Sequence, residues 1–233
     1  MNKKLFKKFQ IIERSVQIGI ALVIFCFSST SASAQKTNKE LFFDPSTGLG
    51  GNIGVVSNYL FRGQTQSDNL PAFQGGLDFE FEKGLFIGNW NSISFNNNPI
   101  ENDLFIGYEL FIFQKLKIIP MTTVYLYPVS WKDNSAEVSI EFDLSYAGLK
   151  YSYDYILQNH YTESGVYFNI GKSVWLSGIA GILVNSTESA NSFIFDTEVA
   201  AGFKLGQRWN MAGKYTWHEN DKHGFAVGLI FSL

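Results

Sequence analysis

The chain has 233 residues, with 18 Lys plus Arg against 21 Asp plus Glu, 16% aromatic residues and one cysteine. Residues 1–34 hold five of the bases (Lys3, Lys4, Lys7, Lys8 and Arg14) and one of the acids (Glu13), so the rest carries 13 bases against 20 acids, a balance that argues against a nucleic-acid partner. Cys26 lies in the same stretch, and beyond it disulfide, thiolate-metal and cysteine-nucleophile chemistry are all excluded.

The opening reads as a cleavable signal peptide. Its bases precede an apolar run, Val16 to Phe27, and Ala32, Ser33 and Ala34 supply a small-residue cleavage site after Ala34. The run is too short for a bilayer-spanning helix, which needs roughly 20 residues. Residues 35–50 are then expected to form a short periplasmic segment, and 51–233 a transmembrane β-barrel.

Alternation of period two dominates the chain beyond residue 50. Phe73, Gly75, Leu77, Phe79 and Phe81 share one face, with Gln74, Gly76, Asp78, Glu80 and Glu82 on the other. Val138, Ile140, Phe142, Leu144 and Tyr146 alternate with Glu137, Ser139, Glu141, Asp143 and Ser145. Phe193, Phe195, Val199, Ala201, Phe203 and Leu205 do so with Asp196, Glu198 and Lys204. Each segment is about ten residues long, enough for a tilted strand to cross a bilayer. Extended along the chain, the pattern predicts strands at 52–63, 72–82, 85–95, 101–110, 116–127, 136–147, 149–157, 165–172, 174–185, 193–205, 208–218 and 223–233. The predicted fold is therefore all-β, an antiparallel up-and-down barrel of about twelve strands.

The connections alternate too. Lys83-Gly84, Ala147-Gly148, Lys172-Ser173 and Gly206-Gln207 read as tight turns and 111–115 as a modest one, whereas 64–71, 96–100, 129–135, 158–164, 186–192 and 219–222 read as longer polar loops. Outer-membrane barrels keep short turns on the periplasmic side and long loops outside. A soluble β-sandwich is the competing reading, and the last strand decides between them. Phe225, Val227, Leu229, Phe231 and Leu233 form an apolar stripe of the kind barrel assembly machinery reads, with Gly228 in place, although Ala226 is not polar and the last residue is Leu rather than Phe.

Ser57, Tyr59, Arg62, Gly63, Pro71, Ala72, Gln74, Gly75, Gly76 and Asp78 lie in SNYLFRGQTQSDNLPAFQGGLD, which resembles the opening of the TorF family of porins. Gly84, Phe86, Gly88, Trp90, Ser92, Glu101, Asp103, Gly107, Tyr125, Tyr127 and Pro128 continue the resemblance. It implies an outer-membrane barrel engaged in transport, with no catalytic residues to carry over.

No enzyme constellation is nominated. His160 is assigned to a long loop and His218 and His223 to the flanks of another, and no serine is placed against any of them. Gly171-Lys172-Ser173 has Val166 where a phosphate loop needs glycine, and no spacing of metal ligands occurs, so no cofactor or metal is expected. Tyr59, Phe61, Phe79, Phe81, Tyr146, Tyr151 and Tyr153 are assigned outward, as interfacial girdle residues.

With that parity the pore-lining set is Arg62, Gln74, Asp78, Glu80, Glu109, Glu141, Asp143, Lys150, Asp154, Asp196, Glu198 and Lys214. Glu82, Glu101, Asp103 and Glu137 add inward or rim acids, and Lys117 and Lys204 inward bases. The surplus of acids predicts weak cation selectivity. Arg62 is placed inward on the first strand beside Gln74 and Asp78, either as a constriction or ligand contact or as an ion pair that braces the barrel. Three functions compete: a narrow diffusion channel for small solutes or ions, a non-conducting structural or adhesive barrel, and a barrel lipid hydrolase. The expected partners are outer-membrane lipid, barrel assembly machinery and small solutes.

Overall fold

The computed structural model describes residues 48–95, 100–113, 115–185, 192–220 and 222–233. The expected signal peptide and its cleavage site lie outside the described residues, as do most of the loops expected at 96–100 and 186–192. The barrel strands are β1 (Leu49–Val56), β2 (Ala72–Glu80), β3 (Leu85–Ser94), β4 (Ile100–Tyr108), β5 (Leu116–Leu126) and β6 (Ser135–Asp143). The remainder are β7 (Ala147–Asp154), β8 (Asn159–Ile170), β9 (Val174–Asn185), β10 (Ser192–Leu205), β11 (Trp209–His218) and β12 (Lys222–Ser232). A short run, Leu110–Phe113, continues β4 along β5 after a break at Glu109, with a register shift between Phe111 and Phe113.

Every strand pairs antiparallel with its neighbour in sequence, and β12 returns to β1 with Phe231 opposite Ile53 and Leu229 opposite Val55. That last pairing closes the sheet into a twelve-stranded barrel and removes its edges. The alternation in the sequence becomes the two faces of this wall. Ile53, Val199 and Phe225 point outward and are 61%, 62% and 62% exposed, the lipid-facing set, while Asp78 and Asp196 point inward and are 2% and 5% exposed. Aromatic pairs ring the short-turn end, with Phe79 against Phe81 at 4.8 Å and Trp209 against Phe231 at 5.0 Å. At the other end Tyr153 packs on His160 at 4.7 Å and Tyr215 on His223 at 5.7 Å. Such girdles sit at lipid–water interfaces.

Three expectations require correction. The first strand ends at Val56 rather than at residue 63, and 57–71 is a long connection carrying a hairpin, Leu60–Phe61 paired with Gln64–Thr65. Strand β8 starts at Asn159, so 159–164 is strand rather than loop, the connection lies at 155–158, and His160 is an outward strand residue. The turn expected at 147–148 lies at 144–146, where Ser145 adopts φ +72° and its N–H donates to Asp143 Oδ1 at 2.7 Å. Separately, Glu82 sits in the short 3₁₀ turn Glu82–Gly84, past the end of β2.

Candidate functional site: a hairpin across the bore

Arg62 and Gly63 form the two-residue tip of the first hairpin, both at positive φ (48° and 78°). That geometry belongs to the tight turn whose twist matches paired strands. A β-carbon on Gly63 would come within 2.9 Å of Asp196 Cβ and 3.1 Å of His218 Cβ, so the tip is pressed against the wall where only glycine fits. The hairpin thus folds into the barrel.

Its anchors lie on opposing walls. On β11, Lys214 Nζ donates to the Leu60 carbonyl at 3.1 Å and Thr216 Oγ1 to the Gly63 carbonyl at 3.2 Å. Lys214 also pairs with Glu198 at 3.0 Å. Across the bore, the Phe61 ring packs on Tyr125 of β5 at 6.3 Å and the Arg62 guanidinium reaches Glu137 of β6 at 2.6 Å. Strands β5 and β11 are six apart in a ring of twelve, so the hairpin spans the diameter.

Arg62 also stacks over the Tyr161 ring at 4.1 Å, and the Tyr161 hydroxyl donates to Asp196 at 3.0 Å. A β-carbon at Gly181 would overlap both Tyr161 and Asp196, so the glycine opens the space for that contact. The guanidinium is therefore held by a carboxylate, an aromatic face and, one step removed, a second carboxylate. An ion pair with one partner 2% exposed depends on such additional contacts, because desolvation opposes burying it.

A second group stands beside the hairpin. Glu101 and Asp103 point inward from β4. In the ladder, Asp103 lies opposite Trp90 of β3 and Tyr125 of β5. Tyr127 donates to Glu101 at 2.7 Å, and Tyr59, carried in by the hairpin loop, packs on Trp90 at 5.3 Å. Burial, then the nearby Glu101 and Asp103 charges, push the Tyr59 and Tyr127 hydroxyls up, so both remain protonated donors.

Other expected lining residues divide by role. Gln74, Asp78 and Glu80 face inward from β2 and are not neighbours of Arg62, whose partner is Glu137. Glu109 pairs with Lys117 at 2.9 Å near the short-turn rim. Asp154 caps the four-residue turn at 155–158, accepting from the Ile156 and Leu157 N–H groups at 2.9 and 2.8 Å, and also binds Ser135. Asp143 likewise braces its turn. Lys150 stands between Glu141 and Glu163 on adjacent strands.

Glu163, Tyr161, Trp90, Tyr125 and Tyr127 face the lumen and were absent from the expected lining set. Tyr59 and Phe61, expected on the lipid face, are lumenal. The lower bore departs from an all-polar lining as well, since Phe86 lies against Phe105 at 6.2 Å and Ile119 is fully buried.

A closed wall with an apolar outer belt and a charged interior defines the class as a transmembrane β-barrel of the bacterial outer-membrane kind. The chain belongs to the Gcw_chp family, described as a bacterial protein of unknown function, which matches residues 44–228. No curated protein matches the sequence. Among solved structures, the KdgM porin superposes with a TM-score of 0.59 at 8% identity, covering 79% of this chain and 98% of that one. The KdgM porin in complex with disordered oligogalacturonate gives 0.58 at 8% identity, with coverage of 79% and 98%. The NanC porin gives 0.56 at 8% identity, covering 79% of this chain and all of the other. At such identity the likeness establishes the barrel fold.

Proposed function

We propose that the protein is a narrow passive diffusion channel of the outer membrane, exported by a cleavable signal peptide, whose bore is set by the inward-folded first hairpin. The carrying observation is that hairpin, pinned to opposite walls of a closed barrel through Lys214, Thr216, Tyr125 and Glu137. The resemblance of residues 57–128 to the TorF porins supports the same reading. Twelve strands lie between the roughly 8-stranded barrels filled by side chains and the 16-stranded barrels with open aqueous channels.

The solute differs in charge from the one in the KdgM complex. Oligogalacturonate is a chain of uronic acids, whereas the inward acids of this barrel, Glu163 included, outnumber the inward bases Arg62, Lys117, Lys150, Lys204 and Lys214. A confined acidic path raises the local concentration of cations and repels anions. Small neutral or cationic solutes are the class proposed.

The packed Phe86, Phe105 and Ile119 favour a second reading, a non-conducting barrel. Single-channel recording of the refolded protein separates the two. Reproducible steps with cation selectivity at low salt support the channel, and silence from a well-folded barrel supports the structural role.

A further inference from the structure

We propose that the cluster formed by Glu101, Asp103, Trp90, Tyr125, Tyr127 and Tyr59 is a binding subsite for an organic ammonium group. The proposal rests on the channel reading for transport, but its binding half stands separately.

Strand parity puts both carboxylates on the lumenal face of β4, two residues apart, and each is 8% exposed. None of the ion pairs among the described residues reaches either of them. Asp103 Oδ1 is buried with no hydrogen-bond partner. Glu101, by contrast, is held by Tyr127. A buried carboxylate oxygen without a donor costs free energy unless the group takes up a proton or a cation or bound donor meets it, and Asp103 is flanked by two aromatic side chains in the ladder.

Aromatic faces carry negative potential and attract cations that shed their water easily, which favours alkylammonium over small, strongly hydrated ions. The donor set points the same way. Among the described residues no three acidic, histidine or cysteine groups converge as a metal site. Two carboxylates supply charge, four aromatics supply an apolar surround, and Tyr59 arrives with the hairpin. The subsite is therefore built only when the hairpin is in place, at the point where the bore is crossed.

The test is calorimetric titration of choline into the full-length barrel refolded in detergent, with 3,3-dimethylbutanol, its uncharged isostere, as the paired probe. Saturable choline binding without isostere binding is expected. Asp103→Asn and Trp90→Ala should each weaken choline about tenfold or more. Asp68→Asn, which removes a charge from the exposed part of the loop, should leave it unchanged. Equal binding of the isostere, full affinity in Asp103→Asn, or displacement of choline by equimolar potassium would each overturn the subsite. The isostere comparison needs no variant, so it decides the matter even if a substitution impairs folding. Choline should also reduce potassium steps in the same preparation. Binding without any steps would sink the channel and leave the subsite standing, and steps without binding would do the reverse.

Discussion

The two halves of the bore are built differently. Near the short-turn end, Phe86, Phe105 and Ile119 line one side of the lumen, on β3, β4 and β5, by apolar packing. Toward the long-loop end the same wall presents Glu137, Tyr161, Asp196 and Lys214, and a separate element, the hairpin, is held among them by ion pairs and hydrogen bonds. Apolar packing stabilises a fixed wall and discriminates little between solutes, whereas charged contacts to a loop make a constriction that can select by charge and be altered without unfolding the barrel. On the proposed channel reading, stability and selectivity are carried by different levels of one lumen.

Substitutions should separate the two levels. Phe86→Ala leaves a cavity in the lower bore and should cost about 3 to 5 kcal/mol in reversible unfolding while leaving ion selectivity unchanged. Altered selectivity with little loss of stability would erase the distinction. The lipid face that both halves share gives the next effect. Val199→Arg, midway along β10, should cost about 2 to 4 kcal/mol in lipid. A change at the adjacent inward position, Glu198→Gln, should cost clearly less, and equal costs would show that the two faces are misassigned.

At the upper level, Arg62→Met removes a cation from a buried carboxylate and should cost about 1 to 3 kcal/mol, with a larger and noisier conductance as its main signature. The smallest expected effect is electrostatic. Reversal potentials across a salt gradient should show cation preference that fades as salt shortens the screening length to about 10 Å at 0.1 M. Anion preference at low salt would contradict the acidic lining.

The wall is readable in the sequence because lipid and lumen impose opposite chemistries on successive residues, as Phe73 to Glu80 and Phe193 to Leu205 display. Legibility is lost where that contrast fades. The outward residues His160, Thr162 and Ser164 lie near the long-loop end of β8, where polar side chains are tolerated, so the strand resembles a loop and Glu163 escapes notice. Tyr59 and Phe61 mislead in the other direction, since their spacing prolongs the alternation of β1 past its true end at Val56. Gly63 is the available signal, a residue suited to a positive-φ turn, whereas Arg62 beside it takes φ +48° without being a residue that favours it. The Arg62 partner, Glu137, is 75 positions away, and no local pattern specifies such a contact.

Whether the hairpin sets the bore is measured most directly by single-channel conductance of the refolded barrel beside a variant in which residues 58–70 are replaced by a short Gly-Ser link. Heat-modifiable mobility confirms that both are folded. The shortened variant should conduct about twofold or more better, because a 12-stranded barrel relieved of its crossing element has a wider path. Equal conductance from two folded barrels would contradict the hairpin's role.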